Sequence, residues 1–141
     1  MNNRIPMAEA SGSFNGETHA EFVCRPRWAA EARDAVATFV ARLHPALPTQ
    51  TVQNLLLLVS ELVTNALRHA GSVSALRLTA DRAGVSVHVA DPSPARPTSR
   101  TPDMTGQCGG FGWPMVQRLA RDVSVRAGAG GGKVILATLP R

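Results

Sequence analysis

Residues Thr49 to Ala70 read TQTVQNLLLLVSELVTNALRHA, and the period of their apolar side chains decides the fold. At about 100° per residue, Leu55, Leu62, Ala66, Val59, Ala70, Val63, Leu56 and Leu67 fill one continuous sector, as a helix laid against a sheet requires. Glu61, Asn65 and His69 recur at i, i+4 and i+8 on the other side, with Arg68 beside them. Leu57 and Leu58 occupy that polar sector one turn earlier. Their presence predicts a helix buried on all sides, with the Glu61 carboxylate and the Asn65 amide directed into a pocket.

On the N-terminal side, Ala20 to Cys24 (AEFVC) is a short apolar run that reads as a strand. Pro26 suits the first turn of a helix, where its missing N–H costs nothing, and from Trp28 to Leu43 the residues Ala29, Ala32, Val36, Phe39, Val40 and Leu43 recur at helical steps. His44-Pro45 ends that helix. On the C-terminal side, after Gly71, the period becomes two. Leu76, Leu78 and Ala80, then Val85, Val87 and Val89, alternate with polar or small residues, a hairpin around Asp81-Arg82-Ala83-Gly84. The segment DPSPARPTSRTPDMTGQCGG from Asp91 to Gly110 has four prolines and no apolar face, and a connection this long reads as a functional lid or a disordered stretch.

Order returns at Phe111 to Arg121, a short helix with Pro114 in its first turn. Val123 and Val125 mark another strand, and Val134 to Leu139 a last one across a GAGGG turn. The order β-α-α-ββ-lid-α-ββ implies an α+β, two-layer sandwich, an antiparallel or mixed sheet with its helices on one face.

The chain has 141 residues, 44% of them hydrophobic, which suits one domain able to build its own core. Residues 1–18 are polar and aperiodic and read as a disordered tail before a domain at 19–141. They lack the apolar run of a signal peptide or membrane span, which predicts a cytoplasmic protein without a membrane partner. Cys24 and Cys108 are the only cysteines and fit no metal spacing, so both are expected as free thiols. The net charge of +5 comes almost wholly from scattered arginines, Lys133 being the only lysine. Without a dense basic run or interleaved aromatics, direct nucleic-acid binding is not expected.

Three stretches together resemble the histidine-kinase-like ATPase superfamily (GHKL, Bergerat fold), which includes gyrase, histidine kinases and the anti-sigma-factor serine kinases. ELVTNALRHA from Glu61 to Ala70 is similar to its asparagine box, Asp91 after a valine-rich strand to the aspartate of its first glycine box, and Gly110-Phe111-Gly112 opening a helix to its second. The likeness covers roughly Glu21 to Arg141. The short length, SELVTNALRHA and the closing GGKVILATLP look most like the stand-alone, anti-sigma-factor-type ATP-binding proteins.

What the resemblance implies can be set beside the chemistry of each residue. Asn65 carries a hard neutral oxygen of the kind Mg²⁺ accepts along with waters and nucleotide phosphates, and the family's asparagine is such a ligand; an amide bonded to neighbouring backbone is the other reading. Glu61, one turn away, can accept the proton of an attacking serine hydroxyl, or is a solvated surface glutamate. Arg68 and His69 can meet phosphate oxygens or serve structure alone. Asp91 can accept a hydrogen bond from the exocyclic amine of adenine, as the family's aspartate does, or is a turn aspartate before Pro92. Gly109, Gly110 and Gly112 let backbone N–H groups approach phosphates at a helix start. The glycines from Gly128 to Gly132 read as a hairpin turn.

The chain also departs from the family pattern. Asp91-Pro92-Ser93-Pro94-Ala95 stands where Asp-x-Gly-x-Gly is usual, Lys133 and Val134 stand where a threonine is common, and Trp113-Pro114 replaces small aliphatic residues. Two functions are therefore expected as alternatives. One is an ATP- and Mg²⁺-dependent serine/threonine kinase of anti-sigma-factor type, with a sigma factor and an antagonist protein as partners. The other is a protein-binding regulatory module with weak or lost ATP binding. A complete histidine kinase, with its dimerisation hairpin, is not expected in 141 residues, and the resemblance is compatible with a homodimer.

Overall fold

The computed structural model describes residues 19–97 and 112–141. The tail at 1–18, Cys108, Gly109, Gly110 and most of the expected lid lie outside the described residues. Eight helices and strands succeed one another in it: β1 (Ala20–Cys24), α1 (Ala29–Val40), α2 (Thr49–Ala70), β2 (Ala75–Ala80), β3 (Gly84–Asp91), α3 (Gly112–Leu119), β4 (Asp122–Ala127) and β5 (Lys133–Pro140). A 3₁₀ turn over Ala129–Gly131 joins the last two strands, with Gly130 and Gly131 at φ of 67° and 85°, a left-handed path that favours glycine.

The strands form one sheet in the order β1-β2-β3-β5-β4, and all four pairings are antiparallel, so the mixed sheet allowed by the sequence is not formed. Period-2 burial decides which side faces the helices. Phe22 on β1, Leu76 and Leu78 on β2, Val85, Val87 and Val89 on β3, and Ile135, Ala137 and Leu139 on β5 are all buried. The helices lie on that one face, which makes the architecture the expected two-layer α+β sandwich.

Helix α2 begins after Pro48 and ends at Gly71, whose φ of +82° and N–H bond to the Leu67 carbonyl form a left-handed C-cap. Its buried side chains are Leu55, Leu58, Val59, Leu62, Val63 and Ala66. Leu57, in contrast, is 48% exposed, so burial on all sides is corrected. Leu57 points away from the buried sector by about 200° of helix rotation from Leu55, whereas Leu58 borders that sector. Helix α1 is shorter than the sequence suggested. It starts after Trp28, because the Glu31 carboxylate reaches back to the backbone N–H and the guanidinium of Arg27, and Pro26 lies outside the first turn. At its other end Arg42 and Leu43 bond back to Phe39 and Val40 in tight turns. Among the described residues, Cys24 is buried and belongs to no disulfide. No helix among them is long and apolar enough to cross a membrane.

On the face of the sheet away from the helices, His88 sits across the β2–β3 ladder from Arg77. Its Nδ1 is buried without a hydrogen-bond partner among the described residues. Burial above all, then the nearby Arg77 and Arg126 charges, hold its pKa below the ordinary histidine value, against weaker opposing effects of a backbone bond at Arg77 and of Glu21. As pH falls, the unfolded chain takes up this proton before the folded one does, so the folded state loses stability from about pH 6.5 downward.

Two outcomes are expected in thermal or denaturant melts. Leu58→Ala should cost roughly 2–5 kcal/mol, as for other large-to-small core changes, and Leu57→Ala less than about 0.5 kcal/mol. The melting temperature of the wild-type chain should drop more steeply between about pH 7 and pH 5 than that of His88→Gln, which carries no titrating ring. Parallel pH profiles would remove His88 as the source.

Candidate functional site

The sector of α2 between its buried stripe and exposed Leu57 carries Glu61 and Asn65. Both are half-buried, because Asn65 falls between Leu58 and Glu61 around the helix, at the edge of the core. What covers them is the start of α3. Gly112 is buried there, and a side chain at that position would collide with a Glu61 carboxylate oxygen and stand 3.6 Å from the Asn65 amide. The approach is close enough that a larger residue at position 112 would displace the Glu61 carboxylate. Helix α3 is held in place by Val116, which is wholly buried, and by Trp113 packing against the core. Pro114 lies in its first turn, where its lack of an N–H leaves no helical bond unmade.

The structure therefore brings together Glu61, Asn65 and Gly112. Arg68 and His69 lie in the last turn of the same helix, exposed, where basic side chains suit the negative end of the helix dipole. They share the end of the fold where β2 begins and β3 ends, since Ser74 donates to the Ala90 carbonyl and Ala75 pairs with Ala90.

Asp91 closes the buried row of β3, two residues beyond Val89, and Lys133 opens the buried row of β5, two residues before Ile135. The register places them directly opposite each other. Lys133 Nζ lies 3.0 Å from each Asp91 carboxylate oxygen and donates also to the Ser93 carbonyl at 3.3 Å. The Ser93 N–H donates to Asp91 Oδ1 at 2.9 Å. Asp91 is 4% exposed and Lys133 6%, so the pair is closed off from water. Gly132 presses against the Asp91 carbonyl so closely that a Cβ there would collide with it, which fixes the backbone that carries Lys133.

Asp91 is buried at a strand end, as expected for a base-reading carboxylate, but it is already partnered. Breaking a buried ion pair by removing one member costs about 3–5 kcal/mol, whereas a hydrogen bond to a charged group contributes about 1.5–3 kcal/mol. An approaching base amine does not by itself compensate the loss of Lys133. The partner was missed in reading the sequence, although a signal was present: Lys133 is in phase with Ile135, Ala137 and Leu139, and a lysine in a buried row calls for a carboxylate.

Among the described residues no three His, Cys, Asp or Glu side chains gather as a metal-holding group. A cleft of about 300 Å³ lies between Arg25–Arg27 and the end of α2 at Leu67 and Gly71, and it includes none of the candidate residues.

Two comparisons with known proteins bear on this arrangement. Comparison with curated proteins gives no match. The model of the histidine kinase-like ATPase domain matches residues 22–138, a span from β1 to β5 that contains the Glu61–Asn65 flank of α2, Asp91 and α3. The antiparallel sheet, the helices on one face and this match agree, and the chain belongs to the histidine kinase-like ATPase domain family.

Proposed function

We propose that this protein is an ATP-binding regulator of anti-sigma-factor type, which holds a transcription regulator and phosphorylates a serine or threonine of an antagonist protein. The observation that carries the reading is the close approach of Gly112, at the start of α3, to Glu61 and Asn65 on the flank of α2. The family membership supports the nucleotide, since an ATPase domain implies ATP.

In this reading the α2 flank and the start of α3 would hold the triphosphate, a helix start being favourable to anions. Asn65 would supply a side-chain oxygen to Mg²⁺, which would polarise and partly neutralise the phosphates. Magnesium is commonly held by one or two protein oxygens with substrate phosphates and water, so a lone amide on a half-buried flank fits that donor set. Glu61 accepts the proton of the incoming hydroxyl as the oxygen–phosphorus bond forms and the bond to the ADP oxygen breaks. Arg68 and His69, at the exposed end of α2, are within the part of the helix that phosphate oxygens would approach.

A second reading is favoured by one observation, the tie between Asp91 and Lys133. A domain whose base-reading carboxylate is engaged can serve as a partner-binding module with weak or lost ATP binding.

The variants Glu61→Gln and Gly112→Ala separate the two. With γ-labelled ATP and host-cell extract as the phosphoacceptor source, Glu61→Gln should lower transfer by about 10²–10⁴-fold while leaving Mg-ATP affinity within about threefold. Gly112→Ala should keep the fold, since the atom it displaces ends a flexible side chain, but lose transfer by pushing the Glu61 carboxylate aside. Equal transfer by wild type and Glu61→Gln would remove Glu61 as the base. Transfer by none of them would favour the partner-binding module.

A further inference from the structure

Lys133 is the one buried cation among the described residues and the only lysine of the chain. We infer that Lys133 is the specificity-determining residue of the nucleotide site: by closing on Asp91 and the Ser93 carbonyl it withdraws the carboxylate from base recognition, so the site takes nucleoside triphosphates without selecting adenine. This inference rests on the nucleotide-binding reading above.

The hydrogen-bond inventory carries it. An ammonium has three donors, and here three acceptors surround it, the two Asp91 oxygens at 3.0 Å and the Ser93 carbonyl at 3.3 Å. Lys133 is thus turned to acceptors of its own chain rather than to a base. Asp91 in turn accepts from Lys133 and from the Ser93 N–H through Oδ1, while its Oδ2 lies 3.0 Å from the same ammonium in the ion pair. What acceptor capacity is left belongs to a residue 4% exposed whose charge is neutralised.

Geometry makes the arrangement stable rather than incidental. The two residues are partners across the β3–β5 ladder, so the lysine reaches its target from the adjacent strand. Its own backbone is fixed by the contact of Gly132 with the Asp91 carbonyl and by the Gly128 N–H bond to the Gly132 carbonyl. An exocyclic amine of adenine and the Lys133 ammonium are both donors that need the same carboxylate. The lysine is covalently held beside it, and selectivity is a difference in affinity that this internal donor abolishes.

The test uses the full chain and the nucleotides Mg-ATP, Mg-GTP and Mg-ITP in calorimetric titration. Wild type should bind all three with dissociation constants within about threefold of one another, since no base edge is read. Lys133→Thr, which frees Asp91, should favour ATP over GTP by roughly tenfold or more. A lysine carrying ¹³C at its ε position reports this single side chain by NMR, and its signal should stay in place when wild type is saturated with Mg-ATP. Selective binding of ATP by wild type, tenfold or more, together with a shift of that signal, overturns the inference and leaves the nucleotide reading standing. If neither wild type nor Lys133→Thr binds any triphosphate, the nucleotide reading falls and the inference with it. Should Lys133→Thr fail to fold, the wild-type affinities and the lysine signal decide alone.

Discussion

The candidate site on Glu61 and Asn65 depends on the one-sided burial of α2. Six side chains from Leu55 to Ala66 are buried beneath it, and that stripe fixes the rotation of the helix about its own axis. Once the rotation is fixed, Glu61 and Asn65 have no freedom to choose their surroundings. They fall on the flank, between buried Leu58 and exposed Leu57, where a polar group can be half-desolvated without being trapped. The start of α3 then completes the flank, and glycine at position 112 lets the two helices meet without displacing the Glu61 carboxylate.

The sheet contributes a different constraint. Its buried rows are apolar along most of their length, but the rows of β3 and β5 end, at the same edge of the core, in Asp91 and Lys133. Either charge alone would be costly at that depth; together, with the Ser93 backbone, they satisfy each other. A position at which the ATPase family commonly offers a free carboxylate thus presents a neutral, internally bonded pair in this chain. The missing glycines after Asp91 and the lysine at the head of β5 are then parts of one arrangement rather than two separate departures.

Much of this was legible in the sequence, for reasons that differ by element. Both ends of α2 could be read because its apolar period is unbroken and Gly71 supplies a left-handed cap. The hairpin strands followed from strict alternation and from Asp81, whose carboxylate accepts from the Ala83 and Gly84 N–H groups in the turn. The exposure of Leu57 was missed because its apolar side chain was read as a sign of burial, although its angle on the helix faces away from the buried stripe. The start of α1 was misplaced since a glutamate reaching back to Arg27 overrode the proline signal. The Asp91–Lys133 pair needed the register of β3 on β5, which no local pattern specifies for strands joined through a distant crossover. Gly109 and Gly110, expected at the phosphates, fall outside the described residues.

The central claim is that the α2 flank is a magnesium-dependent nucleotide site, and it is met most directly by titrating the protein with ATP in the presence and absence of Mg²⁺, alongside Asn65→Ala. The account expects magnesium to tighten binding by roughly tenfold or more in wild type, and expects that gain to vanish in Asn65→Ala while the melting temperature changes little. Equal affinity with and without magnesium, or a magnesium gain that survives the loss of Asn65, would contradict it.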